Sequence, residues 1–276
     1  MAFKDLLVCV ANDPACATRV DLAVWLAAAY EAHLTGLYVV SRPAVPGFVE
    51  IEFPKEMLEL QTRRLREKAA EAEKLFHARA ERGGVPSEWR AAPGNIHATT
   101  ILHSRYADLT ITGQGIDVGD APEEFASLPE HLALSTGRPV LVVPRYGTFP
   151  TLGERVLVAW NASREATRAV NDALPILQRA GKATVVSINP EGEPLGRVPG
   201  ADISLHLARH KVKAEVAPAR VTDIEVGDAI LSYAADVGAD LIVMGAYGHS
   251  RLREMVLGGA TRHLLQHMTV PVLMSH

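Results

Sequence analysis

The chain has 276 residues, of which 48% are apolar, 22% charged and 5% aromatic. At roughly 150 residues per domain this makes about two domains, each able to bury a core, and the composition excludes disordered, collagen-like and coiled-coil classes. A net charge of −4, from 28 basic and 32 acidic residues, offers nothing to attract a polyanion over the whole surface, so no nucleic-acid partner is expected.

The first apolar run, Leu6 to Val10, stands between Asp5 and Ala11. Short and nearly continuous, it reads as a buried strand of a parallel sheet. Asp13 and Pro14 end it too soon for a signal-peptide core, and no apolar stretch reaches the ~18 residues of a membrane helix. The two cysteines, Cys9 and Cys16, make neither a disulfide framework nor a zinc site. A cytoplasmic chain without a membrane partner is the expectation.

A helix over 15–31 and a strand over 33–40 follow. The segment 41–54, with Pro43, Pro46, Gly47 and Pro54, reads as a loop. A long amphipathic helix over 56–82 carries Leu58, Leu60, Leu65, Ala69 and Leu75 among many charges, which puts it on the outside of a sheet. Two more apolar runs close the first half, Leu109 to Thr112 after Asp108 and Val140 to Val143 after Pro139.

The pattern then begins again. Val156 to Trp160 repeats the first strand, followed by a helix over 164–179, a strand over 182–189 and a short helix over 201–210. Asp108 recurs as Asp240 and Pro139 as Pro271, each 132 residues on. One offset at two separated motifs marks an internal duplication. The boundary falls within Thr148 to Gly153, giving domains 1–147 and 153–276. Each reads β-α-β-α-β-α-β-α-β, which implies two tandem α/β domains, each with a parallel sheet covered by helices on both faces.

The stretch richest in chemistry is Met244 to Thr261. It follows a predicted strand and leads into a predicted helix. Gly245, Gly248, Gly258 and Gly259 let a phosphate approach the main chain, and a helix starting near Gly259 points free N–H groups and its positive dipole end at an anion. The hydroxyl of Thr261 adds a donor in the first turn. In an open parallel sheet, ligands bind beyond the carboxyl ends of the strands where the strand order reverses. This sets Ala159, Trp160, Asn161 and Ser163 across the crevice from the glycines. Asn161 has an amide suited to a ribose or base, Trp160 a ring suited to stacking or to the core, and Arg251 and Arg253 suit either a phosphate clamp or a solvated loop.

On these residues the chain resembles the universal stress proteins. Nucleotide-binding members carry Gly-x2-Gly-x9-Gly followed by a small hydroxyl residue, and Gly245, Gly248 and Gly258 keep that spacing. Gly259 replaces the hydroxyl residue, and Asn161 stands where members carry an Asp. The resemblance covers nearly the whole chain, as two copies. It implies a five-stranded sheet in each half and ATP, or ADP or AMP, in the second copy, with Mg²⁺ held through the phosphates. Gly248, Gly258, Gly259 and Ala260 would hold phosphate. Ala159, Met244 and Gly245 would wall base and ribose, and Ile188, His249 and Arg251 complete the implied set. It also implies a regulatory or stress-response role, edge-to-edge pairing of the final strands, Leu141 to Val143 with Val272 to Met274, and scope for a homodimer.

The first copy departs further. Ala126 and Ser127 stand in place of Gly258 and Gly259, Ala11 in place of Asn161, and Asp117, Asp120, Glu123 and Glu124 crowd the loop with charge that a triphosphate repels. A degenerate copy without nucleotide is expected there. Two other classes stay open: a slow ATPase or nucleotide-dependent enzyme on the same fold, and a nucleotide-free interaction module. No catalytic base stands out, and nothing resembles a nucleophile elbow. The pairs His206/His210 and His263/His267 have helical i, i+4 spacing without the Glu of a zinc helix, so they read as solvated or partly buried histidines rather than metal ligands.

Overall fold

The computed structural model describes residues 2–41, 55–115, 126–188, 200–219, 224–247 and 259–276. The first half runs β1 (Asp5–Cys9), α1 (Cys16–Tyr30), β2 (His33–Val40), α2 (Lys55–Gly83), β3 (Ser87–Pro93), α3 (Ile96–Ser104), β4 (Leu109–Gly113), α4 (Leu128–Ser135) and β5 (Val140–Val143). The second runs β6 (Arg155–Ala159), α5 (Arg164–Asp172), α6 (Leu174–Leu177), β7 (Lys182–Ile188), α7 (Ala201–Arg209), β8 (Ala214–Ala219), α8 (Val226–Asp236), β9 (Leu241–Gly245), α9 (Ala260–His267) and β10 (Val272–Ser275). Most of the expected loop over 41–54 lies outside the described residues.

Two helices differ from the sequence reading. The helix expected over 164–179 is broken into α5 and α6, with Pro175 in the first turn of α6. Proline lacks an N–H and clashes with the carbonyl four residues back, so it is tolerated at a helix start and breaks a helix interior. In α2 the buried stripe is Ala72, Phe76 and Ala80, while Leu60, assigned to the apolar face from the sequence, is 45% exposed.

Ten strands among the described residues form one sheet in the order β3-β2-β1-β4-β5-β10-β9-β6-β7-β8. Every pairing is parallel except that of β5 with β10, where Val142, Leu141 and Val140 lie antiparallel to Val272, Leu273 and Met274. Each half is thus a doubly wound α/β unit. The repeated aspartate has a structural job: Asp108 accepts from the Lys4 and Asp5 N–H groups at 2.7 and 3.1 Å, and Asp240 accepts from those of Glu154 and Arg155 at 3.0 Å. Each carboxylate satisfies main-chain donors where the first strand of its half begins.

The sheet divides the core into layers that cross the midline. One contains Leu6, Phe76 and Leu141 with Val156, Val170 and Leu273. The other contains Ile96, Leu132 and Val142 with Leu157, Ile230, Ile242, Leu264 and Met274. On the first side the Tyr30 hydroxyl donates to the Pro175 carbonyl at 3.2 Å, and the Arg179 guanidinium lies 4.8 Å from the centre of the Tyr30 ring.

A core shared in this way unfolds as one unit. Leu273→Ala removes a fully buried side chain at the midline and is expected to cost about 3 kcal/mol. In a urea titration, fluorescence of Trp25 and Trp89 and fluorescence of Trp160, followed in single-tryptophan variants, should then report one common midpoint lower than wild type.

Candidate functional site

Strand β6 lies between β7 and β9, and β1 between β2 and β4, so chain order reverses beside β6 and beside β1. A crevice beyond the carboxyl ends of the strands is expected at both places. In the second half Ala159 lies in register with Met244, at the ends of β6 and β9. Met244 is buried, and Ala159 and Ile188 are half-buried against the same core layer. These three form an apolar floor on one face of the sheet.

The loop after β6 is built by local hydrogen bonds. Asn161 Oδ1 accepts from the Ser163 N–H at 3.1 Å, and Ser163 Oγ accepts from the Ala166 N–H at 3.1 Å as the N-cap of α5. Between them Ala162 takes φ 58°, and across the crevice Tyr247 takes φ 57°. The left-handed region costs a residue with a Cβ roughly 1–2 kcal/mol. Such costs gather at ligand sites, where the surrounding fold holds the backbone in place. Two other such residues, Glu31 and Lys211, stand just beyond α1 and α7, where a left-handed turn ends a helix.

The far wall is the amino end of α9. Gly259 is its N-cap and, having no side chain, makes no cap hydrogen bond itself. Thr261 is buried, and its Oγ1 accepts from the Tyr247 N–H at 3.3 Å, which draws the hydroxyl expected at the ligand into the loop joining β9 to the helix. The first-turn N–H groups of a helix have no intrahelical acceptor, and among the described residues no side chain caps those of α9. Ala246 is fixed by its N–H, which donates to the Ser275 carbonyl at 2.9 Å, and by its carbonyl, which accepts from His276 Nδ1 at 2.8 Å.

Of the residues selected from the sequence, the structure gathers Ala159, Ile188, Met244, Gly259, Ala260 and Thr261 around this end of the sheet, with Asn161 and Ser163 on the opposing loop. Trp160 is not on the floor with Ala159. The pleat turns it to the other face, half-buried against the layer of Val156 and Val158, and its main chain is spent on Val186 and Ser187. Gly245 is held by packing. A Cβ there would stand 2.6 Å from the Glu165 carbonyl carbon and 2.8 Å from the Glu165 Cβ, so the glycine lets α5 press its first turn onto β9. Burial pushes the Glu165 carboxyl up, but its own N–H, the Arg164 guanidinium and the Ser163 hydroxyl outweigh this and hold it below the usual carboxylate range. Gly248, His249, Arg251 and Gly258 lie outside the described residues.

The first half fills the corresponding places differently. A Cβ on Gly113 would meet the Arg19 guanidinium at 2.5 Å. Arg19 is buried, its Nε donates to the Cys9 carbonyl at 2.8 Å, and its terminal nitrogens fork onto the Asp13 carboxylate, the closer contact at 2.7 Å. Cys9 replaces Ala159, and burial pushes its thiol up to about 11, leaving it unreactive near neutrality. At the amino end of α4, His131 Nδ1 donates to the Ser127 carbonyl at 2.9 Å and the Ser127 hydroxyl lies 3.3 Å from His97 Nε2. The two imidazoles stack with centres 4.0 Å apart.

Of the two helical histidine pairs, His206 and His210 have ring centres 4.7 Å apart, and His206 Nε2 is buried without a hydrogen-bond partner among the described residues. His263 Nε2 lies 2.7 Å from Asp228, and His267 Nδ1 donates to the His263 carbonyl at 2.8 Å. Among the described residues no group of three or more metal-ligating side chains converges. No helix among them is long and apolar enough to cross a membrane.

A twofold repeat of a doubly wound unit, joined into one sheet through its final strands, defines the class. Residues 2–144 and again 153–276 match the sequence model of the universal stress protein family. The chain belongs to that family, as a tandem of two copies. It is 23% identical to a universal stress protein of Synechocystis sp., across 98% of this chain and 99% of that one. A universal stress protein of Archaeoglobus fulgidus has a similar fold, with a TM-score of 0.77 at 17% identity over 98% of this chain and 96% of the other. A functionally unknown protein of Pseudomonas aeruginosa PAO1 gives 0.57 at 16% identity, over 99% and 92%.

The two strand-end glycines make a prediction. Gly245→Ala drives a methyl into main chain and is expected to cost about 2 kcal/mol. Gly113→Ala meets a side chain that can yield, so thermal unfolding should fall clearly less for Gly113→Ala than for Gly245→Ala.

Proposed function

We propose that residues 153–276 bind ATP or a related adenine nucleotide, and that residues 1–147 form a degenerate copy holding none. The observation that carries this reading is a helix, α9, with glycine as its N-cap and no cap bond among the described residues, packed on the same side of the sheet as the apolar floor of Ala159, Ile188 and Met244 at the switch point. A helix start with free N–H groups suits a phosphate tail, and an apolar floor suits a base. The main-chain groups of Gly259, Ala260 and Thr261 would take phosphate oxygens, with Gly248 and Gly258 as the sequence spacing implies. Asn161 is exposed on the opposing loop and suits the ribose. Mg²⁺ would be held by the phosphates, since the nearest placed carboxylate, Glu165, is committed to Arg164 and its own helix end.

The degenerate reading of the first copy draws support from its own side chains. Ser127 is the N-cap of α4 where Gly259 stands in the second copy, and its hydroxyl and carbonyl lie against His97 and His131. The role of the bound nucleotide is regulatory in this reading: occupancy changes a binding state, with no chemical step. Two copies in one chain supply both halves of the sheet, and association into a homodimer is a further level that the reading admits.

Calorimetric titration of the purified chain with ATP should show one site per chain. Gly258→Val should abolish that binding while leaving the melting temperature near wild type. Two sites per chain, or undiminished binding in the variant, would falsify the assignment. Mass spectrometry of ligand released on denaturation should identify an adenine nucleotide at no more than one per chain.

A further inference from the structure

We infer that the first half positions the nucleotide-binding helix of the second through Gln114, an inference that rests on the functional reading above. Gln114 directly follows β4, at the place Ala246 takes after β9. Its Nε2 donates to the Leu265 carbonyl at 2.8 Å and to the Gln266 carbonyl at 3.1 Å. Its Oε1 accepts from the Arg145 N–H at 3.0 Å, and its own N–H donates to the Val143 carbonyl at 2.8 Å. One residue is thereby tied to the end of β5 on one side and to the last turn of α9 on the other.

The last carbonyls of a helix have no intrahelical donors and carry the negative end of its dipole. Many helices satisfy them with a left-handed residue just past the end. Here Met268 takes φ −59° and ψ 136°, which leads the chain straight out toward β10 and provides no such turn. The two protons of the Gln114 amide fill the gap from 151 and 152 positions away in sequence. A second link lies on the same helix, where Arg262 Nε stands 3.5 Å from Glu130 of α4.

The two helix ends are closed differently. In the first half, α4 is closed by its own Thr136, whose Oγ1 and N–H donate to the Leu132 carbonyl at 2.8 and 3.1 Å. The second half reaches the turn beyond it, where Arg168 donates to the Gly137 carbonyl at 2.7 Å. An eight-residue helix is about 12 Å long, too short to be stable alone, so its neighbours set its position. A displacement at its capped end carries through to the N–H groups facing the crevice. Gln114 is therefore a positioning residue, and the copy without nucleotide keeps a role in binding.

The test uses full-length variants. Gln114→Glu keeps the acceptor for Arg145 but sets a carboxylate against two carbonyls. Gln114→Lys keeps a donor toward them and loses the acceptor. ATP affinity is expected to fall about five- to tenfold in Gln114→Glu and to stay within about twofold of wild type in Gln114→Lys. Amide exchange over 260–268 should accelerate in the first variant and not in the second. Should Gln114→Glu melt far below wild type, the uncharged Gln114→Met carries the test with the same expected direction. Wild-type affinity and exchange in the Glu or Met variant would overturn the inference, as would equal weakening by Lys and Glu. A wild-type chain that binds no ATP would overturn the functional reading first and this inference with it.

Discussion

The antiparallel pairing of β5 with β10 is the constraint from which the rest of the arrangement follows. Its residues are buried on both faces, with Val140, Leu141 and Val142 against Val272, Leu273 and Met274. A strand buried on both faces and hydrogen-bonded on both edges has no free main-chain groups, so the pair removes the edge each half would otherwise expose. Because the pairing is antiparallel, each half meets the other as if turned about an axis through the midline. Helices α4 and α9 then come together on one side, within reach of the Arg262–Glu130 contact and of the Gln114 amide. On the other side, α1 meets α6 through Tyr30 and Arg179.

Within that frame the two copies have diverged in the contents of their crevices more than in their walls. The aspartate at the foot of β4 and β9 does the same work in both. The glycine at the head of those strands does not. Gly245 admits the main chain of α5, and Gly113 admits the guanidinium of Arg19. A buried guanidinium needs its donors satisfied, and the Asp13 carboxylate and the Cys9 carbonyl do so at the crevice itself. An ion pair built there commits the loop after β1 to internal contacts. The loop after β6 has instead Asn161 and Ser163, neutral residues whose bonds are local turns and a helix cap.

Much of the fold was legible because its signals are local or periodic. Continuous apolar runs mark β1, β4, β6 and β9, and the offset between Asp108 and Asp240 reveals the duplication without any structure. The break between α5 and α6 escapes the sequence reading, because the apolar pattern runs through Pro175 and reads as one continuous helix over 164–179. Of the two roles open to Trp160, stacking or core, the structure takes the core for a reason of period: it alternates with Val156 and Val158, which puts it on the face opposite Ala159. Two things had no local signal. The closeness of α5 to Gly245 depends on helix-to-sheet packing, and the use of Gln114 depends on a helix end some 150 residues away. A lone glutamine after a strand looks the same in sequence whether it faces solvent or closes another element.

The open end of α9 also explains why its other end is held so firmly. An N-cap side chain contributes about 1 kcal/mol to a helix, and α9 has none. A helix start of the kind proposed to take phosphate would leave that contribution out until a ligand arrives. The helix is kept in place by burial of Leu264, Leu265 and Met268, by the His263–Asp228 contact with α8, and by the Gln114 amide at its last carbonyls. Helix α4 differs at its end, which is closed by its own threonine, while at its start the His131 ring donates to the Ser127 carbonyl and caps no first-turn N–H. A helix whose last carbonyl is closed by its own half needs no donor from the other, whereas the last carbonyls of α9 take theirs from Gln114. That dependence links the two copies more closely than sequence duplication alone requires.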